Sequence, residues 1–205
     1  MIHWSMLPSL PLPSLLSCVW LSSQMLFILI EGLGLKFLLK RFLRRSSCSL
    51  TKFEVINVSV SDIDLITALK LMPSLVNLHV NDATHGIPAG DRPMSPITSR
   101  FIRSLHGFLQ TELNPSSSPL VARLCDLKLT FDGLEFDDSG FIDMVSSRWL
   151  PDMQYASGIG LSCLRAVTLR FNKRVMDPAA YKRLDYLDKA GMRVVVLGID
   201  GFCLD

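Results

Sequence analysis

Two carboxylate pairs, Asp62/Asp64 and Asp137/Asp138, are spaced closely enough to do general acid–base work. Each pair also opens a stretch of helical period. There Ser61 or Asp62, and Asp137 or Asp138, would cap the helix, and an acid in the first turn would complement its dipole. Capping accounts for both pairs with fewer assumptions. The remaining chemistry-bearing residues stand alone. His79, His85 and His106 share no ligand spacing with one another or with a cysteine, and His3 lies in an uncharged leader. Cys18, Cys48, Cys125, Cys163 and Cys203 form no CxxC pair. An odd, dispersed set fits a reducing compartment and small core side chains rather than a disulfide framework or a zinc site. Gly158-Ile-Gly160 lacks a third glycine, a preceding strand and a following helix, and reads as a turn. GxxxxGK[ST], GxSxG and HExxH are all missing. The sequence assigns no catalytic residue, no cofactor and no metal, and the chain reads as a non-enzyme.

The elements that would position side chains are more informative. A phrase of leucine, two variable residues, an apolar residue, one variable residue and another apolar residue occurs four times. Its copies are Leu50-x-x-Phe53-x-Val55, Leu75-x-x-Leu78-x-Val80, Leu124-x-x-Leu127-x-Leu129 and Leu164-x-x-Val167-x-Leu169. Helical periodicity follows each copy, after a long loop in the case of the second. A short strand with a return helix cannot bury its apolar face alone and must stack on its neighbours. The expected fold is therefore α/β: an irregular leucine-rich-repeat solenoid with short parallel strands on one face and helices on the other. At 205 residues and 49% hydrophobic, the chain suffices for one continuous core. A formal charge of +2, from 21 basic and 19 acidic residues, argues against a dedicated nucleic-acid binder.

Strands are expected at Lys52 to Val58, Leu75 to Val80, Asp126 to Thr130, Ala166 to Phe171 and Val194 to Leu197. A helix carrying Ile63, Leu65, Ile66 and Leu69 follows the first strand and ends near Pro73. Ser99 to Leu109 is expected as a helix with Phe101, Ile102, Leu105, Phe108 and Leu109 on one face. Asp137 or Asp138 would start a helix running through Trp149, with Phe141, Ile142, Val145 and Trp149 inward. Asp177-Pro178 starts the last helix, Ala179 to Ala190, which Gly191 stops. Residues 81–97, with three prolines and two glycines, form a long internal loop, and 114–119 form a linker.

Residues 1–24 make an uncharged Pro/Ser/Leu-rich leader, and 201–205 a C-terminal tail. Met25 to Ile30 reads as a first buried strand, since a parallel strand covered on both faces is continuously apolar. The alternative is a membrane segment near residues 15–30, with Lys36, Lys40, Arg41, Arg44 and Arg45 keeping the repeats in the cytosol. Leu33 to Arg45 reads as an amphipathic helix with a cationic side. The expected location is cytoplasmic or nuclear, or membrane-anchored on the alternative reading.

Within each strand the variable positions alternate away from the buried ones. Stacked in register they form rows: Lys52, Asn77, Asp126 and Ala166; Glu54, His79, Lys128 and Thr168; and Ile56, Asn81, Thr130 and Arg170. This face is mixed in charge and rich in hydrogen-bonding groups, and suits a protein or peptide partner better than a phosphate backbone. Only Asn172 occupies the position three residues beyond the last strand hydrophobe, where Val58, Ala83 and Asp132 stand in the other copies. A regular asparagine ladder is absent, so a strongly curved horseshoe is not expected.

The order of the pieces resembles the C-terminal leucine-rich-repeat region of fungal, mushroom-type F-box-like proteins. The resemblance is carried by Phe42-Leu-Arg-Arg-Ser-Ser-Cys-Ser-Leu50, Ser61-Asp-Ile-Asp-Leu-Ile66, Pro73-Ser-Leu-Val-Asn-Leu78, Phe141-Ile-Asp-Met-Val-Ser-Ser-Arg-Trp149 and Cys163-Leu-Arg-Ala-Val167. It covers about residues 25 to 200. It implies repeats that hold a protein substrate, beside an F-box that binds the Skp-type adaptor of a cullin–RING ubiquitin ligase. Nothing before residue 25 resembles an F-box, so the adaptor is an expected partner only where an F-box lies upstream. A truncated product with no independent function is the remaining alternative.

Overall fold

The computed structural model describes residues 49–82, 95–108 and 119–199. The expected strand at 25–30, the helix at 33–45, the segment 15–30 and the tail lie outside these residues, as do most of the long loop and the linker. Five strands form one sheet: β1 (Lys52–Ile56), β2 (Asn77–Asn81), β3 (Asp126–Phe131), β4 (Ala166–Phe171) and β5 (Arg193–Leu197). They lie in sequence order, and every neighbouring pair is parallel. The crossovers carry α1 (Asp62–Leu69), α2 (Ser99–Ser104), α3 (Asp138–Arg148), α4 (Met153–Gly158), α5 (Pro178–Tyr181), a 3-10 turn (Lys182–Leu184) and α6 (Asp185–Lys189). Parallel neighbours joined in order by crossovers of one hand put all the crossovers on the same side. Burial agrees, because one face of each strand is packed while the other is largely accessible.

The repeated phrase sets this geometry. Phe53, Leu78, Leu127 and Val167 are register partners, as are Val55, Val80, Leu129 and Leu169, and all eight are buried. The leading Leu50, Leu75, Leu124 and Leu164 are buried too, each contributing about 2 kcal/mol of apolar burial. The backbone repeats with them. The Thr51 carbonyl accepts from the N–H groups of Val76 (2.8 Å) and Asn77 (2.9 Å). The Val76 carbonyl accepts from Cys125 (2.8 Å) and Asp126 (3.1 Å), and the Cys125 carbonyl from Arg165 (2.8 Å) and Ala166 (3.1 Å). β5 belongs to the same series, since Val194 and Val196 pair with Val167 and Leu169. Its register puts Gly191 opposite Leu164, at a φ of +105° that disfavours side chains, and Met192 is buried beside it. The fifth copy therefore lacks the leucine by which the other four are legible.

Ser61 caps α1 through the Asp64 N–H, Thr98 caps α2 through that of Phe101, and Asp137 caps α3 through that of Gly140. The acid following each of two caps reaches forward. Asp62 accepts from the Thr98 hydroxyl at 2.7 Å, while Asp138 is held by the Arg174 guanidinium and the Tyr181 hydroxyl. Phe131, Phe136, Phe141, Phe171 and Tyr181 form a connected aromatic cluster below this contact. Gly133, at φ +84°, crosses so close to the Phe171 ring that a Cβ would stand 2.2 Å from it.

Several expectations are corrected. β1 stops at Ile56 because Asn57 turns into the left-handed region, at φ 53°. Ile63 is 56% exposed, because the buried stripe of α1 runs through Leu65, Ala68 and Leu69. α2 ends at Ser104, and Phe108 is 48% exposed, with its ring against His106. The continuous helix expected from 179 to 190 is broken by the 3-10 turn. Its buried residues, Tyr181, Leu184 and Leu187, recur every third position, the period of a 3-10 helix. α4 was not expected from the sequence: six residues with only Ala156 buried leave no periodic signal. Cys125 and Cys163 are free and half-buried, not full members of the core. Among the described residues no helix is long and apolar enough to cross a membrane.

Among the described residues, one charged side chain is fully enclosed. Arg148, the last residue of α3, has no exposed surface, and burial pulls its pKa down to about 10. Its guanidinium donates to three backbone carbonyls, those of Leu105, Val121 (3.1 Å) and Leu120 (2.6 Å). It thereby joins the end of the α2 region to the segment that leads into β3. Arg148→Met would leave those carbonyls buried and unpaired, and unfolding in denaturant is expected to show a loss of about 3 kcal/mol or more. Wild-type stability in this variant would remove the bracing role.

Candidate protein-interaction face

Because side chains alternate along a strand, the face opposite the core is built from the residues between the buried ones. The register brings together the rows expected from the sequence. Lys52, Asn77, Asp126 and Ala166 are aligned, and Arg193 extends that row onto β5. Glu54, His79, Lys128 and Thr168 follow, extended by Val195. Ile56, Asn81, Thr130 and Arg170 complete the face, extended by Leu197. Lys52, Asn77, Asp126, Lys128 and Arg170 are exposed; Glu54, Ile56, His79, Asn81, Ala166 and Thr168 are half-buried. Thr130 is the exception, at 8% exposure. Its short side chain lies between the longer Asn81 and Arg170, which shade it from solvent.

The two halves of the face differ electrostatically. On β1 and β2 the charges are internally compensated: Lys52 pairs with Glu54 at 3.0 Å, and Glu54 also approaches the His79 Nδ1 at 3.8 Å. Burial is the main cause that holds the His79 pKa below its ordinary value. The neighbouring Lys128 adds to the depression, and Glu54 opposes it. His79 Nε2 is enclosed without a hydrogen-bond partner, a position that favours the neutral ring. On β3 to β5, Lys128, Arg170 and Arg193 form no ion pair among the described residues.

The paired carboxylates Asp62/Asp64 and Asp137/Asp138 all have structural partners. Asp62 and Asp64 bond to Thr98 and Ser61, Asp137 caps α3, and Asp138 binds Arg174 and Tyr181. That environment raises the Tyr181 hydroxyl pKa well above its usual value, first by burial and then through Asp138. A group that the sequence did not single out is Asp82, just past β2. Burial raises its carboxyl pKa, the nearby charge of Asp132 adds to the effect, and a bond to Ser95 opposes it. Asp132 itself pairs with Lys173 at 2.6 Å. Asn172 begins the loop after β4; its backbone N–H donates to the Phe131 carbonyl at 2.8 Å, while its side-chain Nδ2 is buried without a partner. No group of three or more His, Cys, Asp or Glu among the described residues could hold a metal ion. No family model, curated protein or solved structure matches this chain.

The depressed histidine has a measurable consequence. A His whose folded pKa lies below its unfolded value of about 6.5 contributes stability that is fully present above that pH. This contribution is lost as pH falls through the folded pKa, because the unfolded chain then binds more protons. His106, lowered mainly by burial, acts with the same sign, and the raised Asp82 acts with the opposite sign. The melting temperature is expected to fall between about pH 7 and pH 5, and His79→Gln to flatten that decline. An unchanged slope in the variant would mean that His79 does not titrate differently on folding.

Proposed function

We propose that this chain is a protein-interaction domain that holds a protein substrate or peptide on the accessible face of its sheet. The observation that carries this reading is the alignment of side chains in three rows across the sheet, with exposed or half-buried polar groups at Lys52, Glu54, Asn77, His79, Asn81, Asp126, Lys128, Thr168, Arg170 and Arg193. Such a surface offers many separate hydrogen-bonding and charged contacts to an extended or folded protein. The finer reading is an irregular leucine-rich-repeat unit, supported by four leucine phrases in register and by the same double hydrogen bond at three consecutive steps. On this proposal the chain is the substrate-binding arm of an F-box-type ubiquitin-ligase receptor, in which a Skp-type adaptor would bind an F-box. That last step is supported by the resemblance over about residues 25 to 200.

Affinity capture with the full chain, paired with hydrogen exchange on the captured complex, tests the reading. The expected outcome is protection of β2 to β4 and about tenfold weaker capture on replacing His79 and Lys128 with alanine, as for central contacts. Capture that is indifferent to both substitutions, with protection elsewhere, would overturn it.

A further inference from the structure

The two halves of the sheet face are not equivalent in charge. On β1 and β2 each formal charge has a partner, with Lys52 on Glu54 and Glu54 near His79. On β3 to β5 the exposed Lys128, Arg170 and Arg193 are each without an ion pair among the described residues, and the single carboxylate of that half of the face is Asp126. The register fixes how these cations are grouped. Lys128 lies opposite Thr168, Arg170 is two residues further along the same strand, and Arg193 lies opposite Ala166, two residues before Thr168. Diagonal neighbours on adjacent strands stand about 7–8 Å apart. Three cations thus surround the Thr168 hydroxyl on one side of the sheet. Arg123 and Arg165, both exposed, act on Cys125 at the edge where β3 and β4 begin and extend the positive field there.

We propose that the β3–β5 half of the accessible sheet face, through Lys128, Arg170 and Arg193 around Thr168, binds an acidic, Asp/Glu-rich protein segment. The inference rests on the interaction reading above and names the chemistry of the partner. Charge complementarity selects the occupant. Carboxylates on one side of an extended segment recur about every 6–7 Å, a step that suits the diagonal neighbours Lys128 and Arg170, and a carboxylate two such steps away, about 13 Å on, suits Arg193, which lies four residues before the position opposite Arg170. The two arginines offer planar forks suited to bidentate carboxylate binding, and Lys128 offers a compact charge. Thr168 supplies a hydroxyl at the centre. The compensated β1–β2 half would then contribute hydrogen bonds from the polar side chains Asn77 and Asn81 and little net attraction.

An array of short peptides of graded charge, probed with the full chain, tests this. Retained peptides are expected to be acidic, and replacement of their Asp and Glu by Asn and Gln should weaken binding about tenfold or more, with strong salt sensitivity. Charge reversal of Lys128, Arg170 and Arg193 to glutamate should abolish retention. The milder Lys128→Gln/Arg170→Gln variant, checked for an unchanged melting temperature, should reduce it without any question of folding. Equal retention of acidic and neutral peptides, no retention at all, or displacement by a single-stranded oligonucleotide in preference to an acidic peptide would overturn the proposal. If captured protein is lost on substitution of His79 but not of the three cations, the interaction reading stands and this inference falls. If it is indifferent to every residue of the face, both fall.

Discussion

The described sheet depends on one recurring backbone joint. At the entries into β2, β3 and β4 a single carbonyl receives two N–H groups of the next unit: Thr51 from Val76 and Asn77, Val76 from Cys125 and Asp126, Cys125 from Arg165 and Ala166. Parallel pairing has no tight turn to fix its register, and a slip of one residue would exchange the faces. The joint supplies that missing constraint at the first residue of β2, β3 and β4, and β5 keeps one of the two bonds, from the Arg193 N–H to the Arg165 carbonyl at 2.8 Å. The leading leucine beside it is buried, which ties the register to apolar burial as well as to hydrogen bonding. The side chains of the opposite face fall into rows because this joint recurs.

The helical layer is coordinated in a different way. Asp62 and Asp138 each follow an N-cap and each binds a group belonging to a later helix: Thr98 in the first case, Tyr181 in the second. Arg148, at the far end of α3, reaches the other way along the chain, gathering carbonyls from two earlier segments. Local turns, buried leucines and long-range polar ties thus agree on one arrangement, the consistency expected of a chain with a single preferred fold.

The strands and the face they create were legible because they depend on a period of two and on a repeated phrase. The rows from Lys52 to Ala166, Glu54 to Thr168 and Ile56 to Arg170 follow from aligning the phrases. β5 was legible only as a strand, since Gly191 stands where its leucine would be. The exposure of Ile63 and Phe108 was missed because apolar type alone does not say which side of a short helix is covered. Thr130 was misplaced because shading by neighbours in register depends on their size. Arg148 gave no signal at all. In the sequence it is one more cation near the end of a helix, and only the convergence of carbonyls from residues 105, 120 and 121 gives it a role. The sign of the charge on each half of the face was present in the sequence, but the pairing that neutralises one half and not the other belongs to three dimensions.

The strict sequence order of the sheet has a mechanical consequence. The described chain enters at β1, on one edge, and leaves after β5, on the opposite edge. Tension applied between those two points runs across the strands, so the load falls on one row of inter-strand hydrogen bonds after another. A sheet loaded in that direction opens like a zip, whereas strands pulled along their length must break all their bonds together. Strands could therefore be peeled off one at a time from either edge, each giving way at modest force, so the rows of the accessible face would come apart gradually under load.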